Sequence, residues 1–308
     1  MFSGLAYLPF AENIAIYMIG PVITTILAFF ILKEKISSLV PKETELESRG
    51  EHFDFHAPVT CSVTTSHSIA VGFGDGKVRF FFEGEKPRII DAHNGVVLSI
   101  ATNGEYIFTG GDDGRFLKLS QNGDIVEIAN FNSRWVDSVA AHKDIMVCSS
   151  GRNVYIWSGD QKKAKSLEHS STVGGLAFDH TGKRLAVSSY GGVTVWERGE
   201  RRWTSKRLVW KGSHSKVGFS PDGKYIVTSM QESELHGWRL RDKVDLAMRG
   251  YPAKIKSFAW VGDTPHLATS GDHQAICWPF DGKDGPLGRE PVCVADCGKQ
   301  ISTFIEPL

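Results

Sequence analysis

VGGLAFDHTGKRLAVSSYGGVTVW, residues 173 to 196, decides the fold of this 308-residue chain. Leu176 and Phe178 alternate with small residues and lead into the polar turn Asp179-His180-Thr181-Gly182, which reads as a strand ending in a reverse turn. Leu185 to Val187 begin a second apolar run that reaches Gly191-Gly192, a pair able to adopt the positive φ angles of a two-residue hairpin. A third run then ends on Trp196. The same order recurs as VTCSVTTSHSIAVGFGDGKVRFF, VLSIATNGEYIFTGGDDGRFLKL, VDSVAAHKDIMVCSSGRNVYIW, KVGFSPDGKYIVTSMQESELHGW and IKSFAWVGDTPHLATSGDHQAICW.

The last residue of the third run is in turn Phe81, Leu119, Trp157, Trp196, Trp238 and Trp278, at separations of 38, 38, 39, 42 and 40 residues. A period near 40 with several short strands per unit is the sign of a β-propeller blade, which cannot fold alone because both of its faces must be covered. Asp75-Gly76 and Asp113-Gly114 supply hairpin turns like Gly191-Gly192, and Ser220-Pro221-Asp222-Gly223 reads as a type I turn closed by Gly. The expected fold is all-β: six full blades and a fragment of a seventh, behind one helix of transmembrane length. Over residues 52–308 the repeats resemble the WD-repeat family. Trp157, Trp196, Trp238 and Trp278 match its Trp position and Asp75, Asp113 and Asp272 its tight-turn Asp, all with a blade-building role. His93, His169 and His214 lie near its His position, yet no repeat carries the full Asp-His-Ser/Thr-Trp set in register. The resemblance implies a scaffold that binds other proteins.

Ile14 to Leu32, IAIYMIGPVITTILAFFIL, holds no charge over 19 residues, enough for a helix to cross a hydrocarbon core. Lys33, Lys35 and Lys42 follow it while no Lys or Arg precedes it, so the positive-inside bias puts the remainder in the cytoplasm. Residues 1–40 are therefore expected to be a hydrophobic helix anchoring the chain, with a cytoplasmic chain lacking that anchor as the alternative. The stretch NIAIYMIGPVITTILAFFILKEKIS also resembles a helical segment of EamA-type drug/metabolite transporters, which implies part or a remnant of such a transporter fused to a propeller. One span encloses no transport pathway. Residues 41–51, PKETELESRGE, read as a polar linker.

The propeller is expected over 52–308, incomplete at its C-terminal end: 308 minus 50 leaves 258 residues, where seven blades of roughly 40 need about 280. ISTFIEPL (301–308) then reads as the first strand of a last blade, and His52 to Phe55 as an outer strand lent to it, leaving an open edge for self-association.

Composition narrows function by exclusion. Thirty-five basic residues balance thirty-five acidic ones, which argues against nucleic acid as a partner. Five scattered cysteines fit a reducing compartment, and Cys293 with Cys297 lacks the second pair a zinc site needs. No H-E-x-x-H, G-x-S-x-G or phosphate loop occurs, so neither catalysis nor a cofactor is expected. The one charge anomaly is RGERRWTSKRLVWK, residues 198–211. Arg201, Arg202, Trp203, Lys206 and Arg207 within it read either as an outer strand protected from edge pairing or as contacts to a partner or an anionic surface.

Overall fold

The structure, a computed structural model, describes residues 4–7, 50–159, 161–200, 202–261 and 265–294, and every regular element among them is a strand. A short pair comes first, β1 (Gly4–Tyr7) antiparallel to β2 (Gly50–Phe53). Three four-stranded antiparallel sheets follow. They are β3 (Val59–Thr64) to β6 (Arg88–Asp91) by way of β4 (Ile69–Phe73) and β5 (Lys77–Phe81); β7 (Val97–Thr102), β8 (Ile107–Gly111), β9 (Arg115–Leu119) and β10 (Ile125–Asn130); and β11 (Ser138–His142), β12 (Ile145–Ser150), β13 (Asn153–Ser158) and β14 (Lys165–Glu168). A six-stranded sheet comes next, formed by β15 (Val173–Phe178), β16 (Arg184–Arg198), β17 (Trp203–Phe219), β18 (Tyr225–Met230), β19 (Leu235–Arg239) and β20 (Val244–Met248). The last sheet holds β21 (Phe258–Val261), β22 (His266–Thr269), β23 (Ala275–Pro279) and β24 (Val292–Val294).

Sequence decides which strands are central. β4 (IAVGF) and β8 (IFTGG) are buried at every position, as a strand covered on both faces must be, whereas β10 (IVEIAN) keeps most of its residues at least partly exposed at the outer edge. Neighbouring sheets meet face to face: Val78 and Phe80 of β5 pack with Val97, Ile107 and Leu117, and Phe108 and Phe116 pack with Val136, Cys148 and Trp157. Ile145 and Val154 meet Leu185 and Val187 likewise, and Tyr225 and Val227 meet Phe258, Leu267 and Phe280. The terminal aromatics fill these wedges; Trp238 is 2% exposed and Trp157 5%.

Three expectations need correction. The described residues form five propeller sheets, not six blades with a fragment of a seventh, because the fourth and fifth repeats run together. β16 folds on itself at Gly191 and Gly192 (φ 82° and 128°), its ends joined by a bond from Arg198 N–H to Lys183 O at 2.8 Å. β17 then pairs through its first half with β16 and through its second with β18, without a break at Gly212. The halves of this sheet pack on each other through Val193, Leu208, Val217 and Trp238. Residues 301–308 lie outside the described residues.

The membrane-length helix is the second correction. Ile14 to Leu32 also lies outside the described residues, and no helix among those described is long and apolar enough to cross a membrane. A single crossing would separate Gly4–Tyr7 from Gly50–Phe53, yet these strands are paired in register, Gly4 with Phe53 and Tyr7 with Gly50. The stretch from His52 to Phe55 is not lent to the last sheet as expected. Phe53 and Phe55 instead meet Phe81 and Phe73 of the first sheet edge to face, where apolar surface would otherwise be bare.

Replacing Trp238 by Ala is expected to cost about 3–5 kcal/mol of stability, since the side chain fills the space between facing sheets. Val209→Ala, at a side chain 71% exposed, should stay within about 0.5 kcal/mol. Urea unfolding of the two variants checks this, and equal losses would refute the wedge role.

Candidate functional site

In every repeat, the turn joining the second and third strands is hydrogen bonded to a linker that runs between repeats. His93 N–H donates to Gly76 O (2.9 Å), Phe131 N–H to Gly114 O (2.8 Å) and His169 N–H to Arg152 O (2.9 Å). Tyr190 N–H donates to Ser171 Oγ (3.1 Å), and Gln231 and Ala253 reach Ser213 O and Gly271 O (both 3.1 Å). At Gly114 (φ 79°) a Cβ would fall 2.0 Å from Asn132 O, so only glycine permits the approach. Turns and linkers therefore gather at one end of the ring, a single loop face. Large side chains stand out from it: Trp135 in the 131–136 linker is 57% exposed, Tyr190 58%, and Val209, paired with Gly192 beside the turn, 71%.

Beneath this face, polar networks tie the linkers to the strands. Asp113 Oδ1 accepts the Nδ1–H of His93 (2.9 Å), leaving His93 Nε2 to accept from Thr109 Oγ (2.9 Å), with Leu119 at the expected Trp position. In the next-but-one repeat Trp196 Nε1–H donates to His169 Nε2 (3.1 Å). His214 has the opposite tautomer from His93: its Nε2–H reaches Trp210 O (3.0 Å) and its Nδ1 accepts from Thr228 Oγ (2.7 Å). Tyr251 takes the histidine's place in the last repeat, accepting from Trp278 Nε1 (2.6 Å) and donating to Thr269 Oγ (2.6 Å). In the first repeat Asp75 holds Arg79 at 3.1 and 2.7 Å, and that guanidinium lies over the rings of Phe55 and Phe73. Of the expected tight-turn aspartates, Asp75 and Asp113 carry such networks, while Asp272 accepts from its neighbour His273 N (2.6 Å).

Burial sets the protonation of these groups. It lowers His93, His169, His214 and His236 below the ordinary value, and His236, stacked on Trp210 with ring centroids 4.0 Å apart, falls to about 4 despite Asp245 beside it. For Asp75 and Asp113 burial pushes upward, but Arg79 and His93 respectively, with backbone N–H groups, outweigh it and hold both carboxyls below their usual range.

The basic segment divides. Arg202, just before β17, and Lys206 on it are exposed, and Arg201 lies outside the described residues. Trp203 is half-buried against the core shared by the third and fourth repeats. Arg207 is engaged inward, donating to Ser189 Oγ (3.1 Å), Thr194 Oγ (2.8 Å) and Tyr190 O (2.9 Å), so it braces the Gly191-Gly192 turn. On the axis of the ring, the first strands of the repeats enclose a cavity of about 300 Å³ with Asp137, Lys216 and Lys256 among its lining. Among the described residues no three His, Cys, Asp or Glu side chains gather as a metal site would require. Sequence reasoning missed the exposed Trp135 and Tyr190, whose signal was an aromatic beside turn residues, and missed the lysines, which carry none.

Comparison with known proteins agrees with this architecture. The family described as WD domain, G-beta repeat matches residues 84–116 and 161–197. These two stretches match the WD repeat, and both lie within the propeller sheets. A coronin-like protein of Saccharomyces cerevisiae is 30% identical over 142 residues, 42% of this chain and 21% of that relative, so the match spans about a fifth of the relative's length. The segment resembling EamA-type transporters falls outside both WD matches.

Because these histidines are held neutral, the unfolded chain binds more protons below its ordinary histidine value of 6.5, and stability falls as pH drops from there toward about 4. The melting temperature is expected to be several degrees lower near pH 5 than near pH 7.5, and His236→Phe should shrink that difference. An unchanged difference would show that His236 is not a determinant.

Proposed function

We propose that this chain is a non-enzymatic scaffold that binds another protein through its loop face, with Trp135 and Tyr190 as anchors. The observation that carries the reading is the exposure of two large aromatics, Trp135 at 57% and Tyr190 at 58%, on the face where the turns between second and third strands meet the linkers. Exposed Trp and Tyr on a rigid support are the side chains that most often dominate protein binding, because they bury much area at little entropic cost. WD repeats and the coronin-like relative support the same reading. A second surface is the exposed part of the basic segment, Arg202 just before β17 and Lys206 on it, which suits an acidic partner or an anionic surface.

Affinity capture with the full chain distinguishes the surfaces. Trp135→Ala with Tyr190→Ala is expected to lose the co-purifying protein at an unchanged melting temperature, while Arg202→Gln with Lys206→Gln retains it. Loss with the basic pair and retention with the aromatic pair would move the site to the outer strand. Full retention with both pairs would overturn the proposal.

A further inference from the structure

The axial cavity is built differently from the loop face. Its lining comes from the first strand of each repeat or the residues leading into it, with the hydroxyl residues Ser62, Ser138, Ser215 and Ser257 among them. Two lysines enter from neighbouring repeats in swapped order, Ser215-Lys216 on one and Lys256-Ser257 on the next. The two segments occupy equivalent places, because Lys216 N–H donates to Ser229 Oγ (3.2 Å) and Ser257 N–H to Ser270 Oγ (3.0 Å). Lys216 reaches across the gap, its ammonium 5.4 Å from the ring centroid of Phe258, the first residue of β21 and two beyond Lys256. Asp137 is the one carboxylate in the lining, so two positive charges face one negative charge.

Two further features bear on the charge and the width of the site. Lys254, just outside the cavity, is pushed down first by burial and then by the Lys256 ammonium, so like charges are crowded here. At Gly174 a Cβ would stand 2.1 Å from His214 O, so the bare backbone lets β15 approach β17 beside Lys216.

We propose that the axial cavity binds a compact phosphate-bearing anion, held by the ammonium groups of Lys216 and Lys256 and by the surrounding serine hydroxyls. Donors around a ring converge from several directions. A tetrahedral phosphate offers oxygens in several directions, where a planar carboxylate offers two in one plane, and lysine is suited to it as a point charge with three rotatable donors. A cavity of about 300 Å³ lies at the small end of ligand sites, which favours inorganic phosphate, pyrophosphate or a small phosphomonoester.

Isothermal titration of the full chain with inorganic phosphate and with pyrophosphate, against chloride at equal ionic strength, tests the site. Saturable binding is expected, weakened by about tenfold or more in Lys216→Met with Lys256→Met and unchanged in Arg202→Gln with Lys206→Gln. If the double variant fails to fold, Asp137→Asn answers instead: removing the opposing carboxylate should tighten binding severalfold. Water filling alone is the result in which phosphate and pyrophosphate do no more than chloride, and that would overturn the proposal. Equal weakening by the outer-strand pair would overturn it too, by placing the anion on the surface.

Discussion

Everything in this molecule depends on sheets that are apolar on both faces and therefore have no stable existence alone. Phe80, Phe116 and Trp238 are each nearly or wholly inaccessible only because a second sheet lies across them. At about 25 cal/mol per Å² of apolar surface, each aromatic wedge offsets the ordering of several residues, so a repeat gains stability only beside another repeat. Where the first sheet turns outward, Phe53, Phe55 and the Arg79 guanidinium supply the cover instead.

That packing also decides where polar chemistry can sit. Once the faces are covered, polar groups gather where packing does not close, at the two ends of the sheets and along the axis. At the loop face the same structural task is done by different residues in different repeats. His93 with Asp113, His169 with Trp196 and Tyr251 with Trp278 each fasten a linker to its strands, and each pair satisfies groups whose burial would otherwise be costly. Chemical identity changes while the geometric demand does not. The histidines among these groups are neutral because burial disfavours their charged form, and this makes the ring's stability sensitive to acid.

The fused sheet follows from the same economy of turns. Between other sheets the chain leaves the outer strand through a linker with its own turn, such as Asn132 at φ 59° before Trp135. Between the fourth and fifth repeats Gly212 (φ 133°) sits inside β17 at a shift of register, and pairing resumes on its far side with Ser213 opposite Tyr190 and His214 opposite Met230. Arg207 stabilises the neighbouring turn with three hydrogen bonds, which explains part of the basic run without any partner.

The sequence by itself determined the all-β class, the repeat length and the residues of the wedges, because strand alternation, glycine turns and terminal aromatics are local signals with a fixed period. Trp157, Trp196, Trp238 and Trp278 could be read off in order, as could the turns at Gly76, Gly114 and Gly223. It did not determine the number of separate sheets, since whether a linker breaks a strand depends on hydrogen bonds between β16, β17 and β18 that no local pattern encodes. An uncharged run suggested a spanning helix by length alone, whereas the pairing of Gly4–Tyr7 with Gly50–Phe53 is a contact between distant residues. Tertiary structure alone decided that Arg207 turns inward while Lys206 stays out, that Tyr251 stands in for a histidine, and that Lys216 and Lys256 share one cavity. Each is a matter of which side chains meet across strands far apart in the chain, and closure of sheet upon sheet is what brings them together.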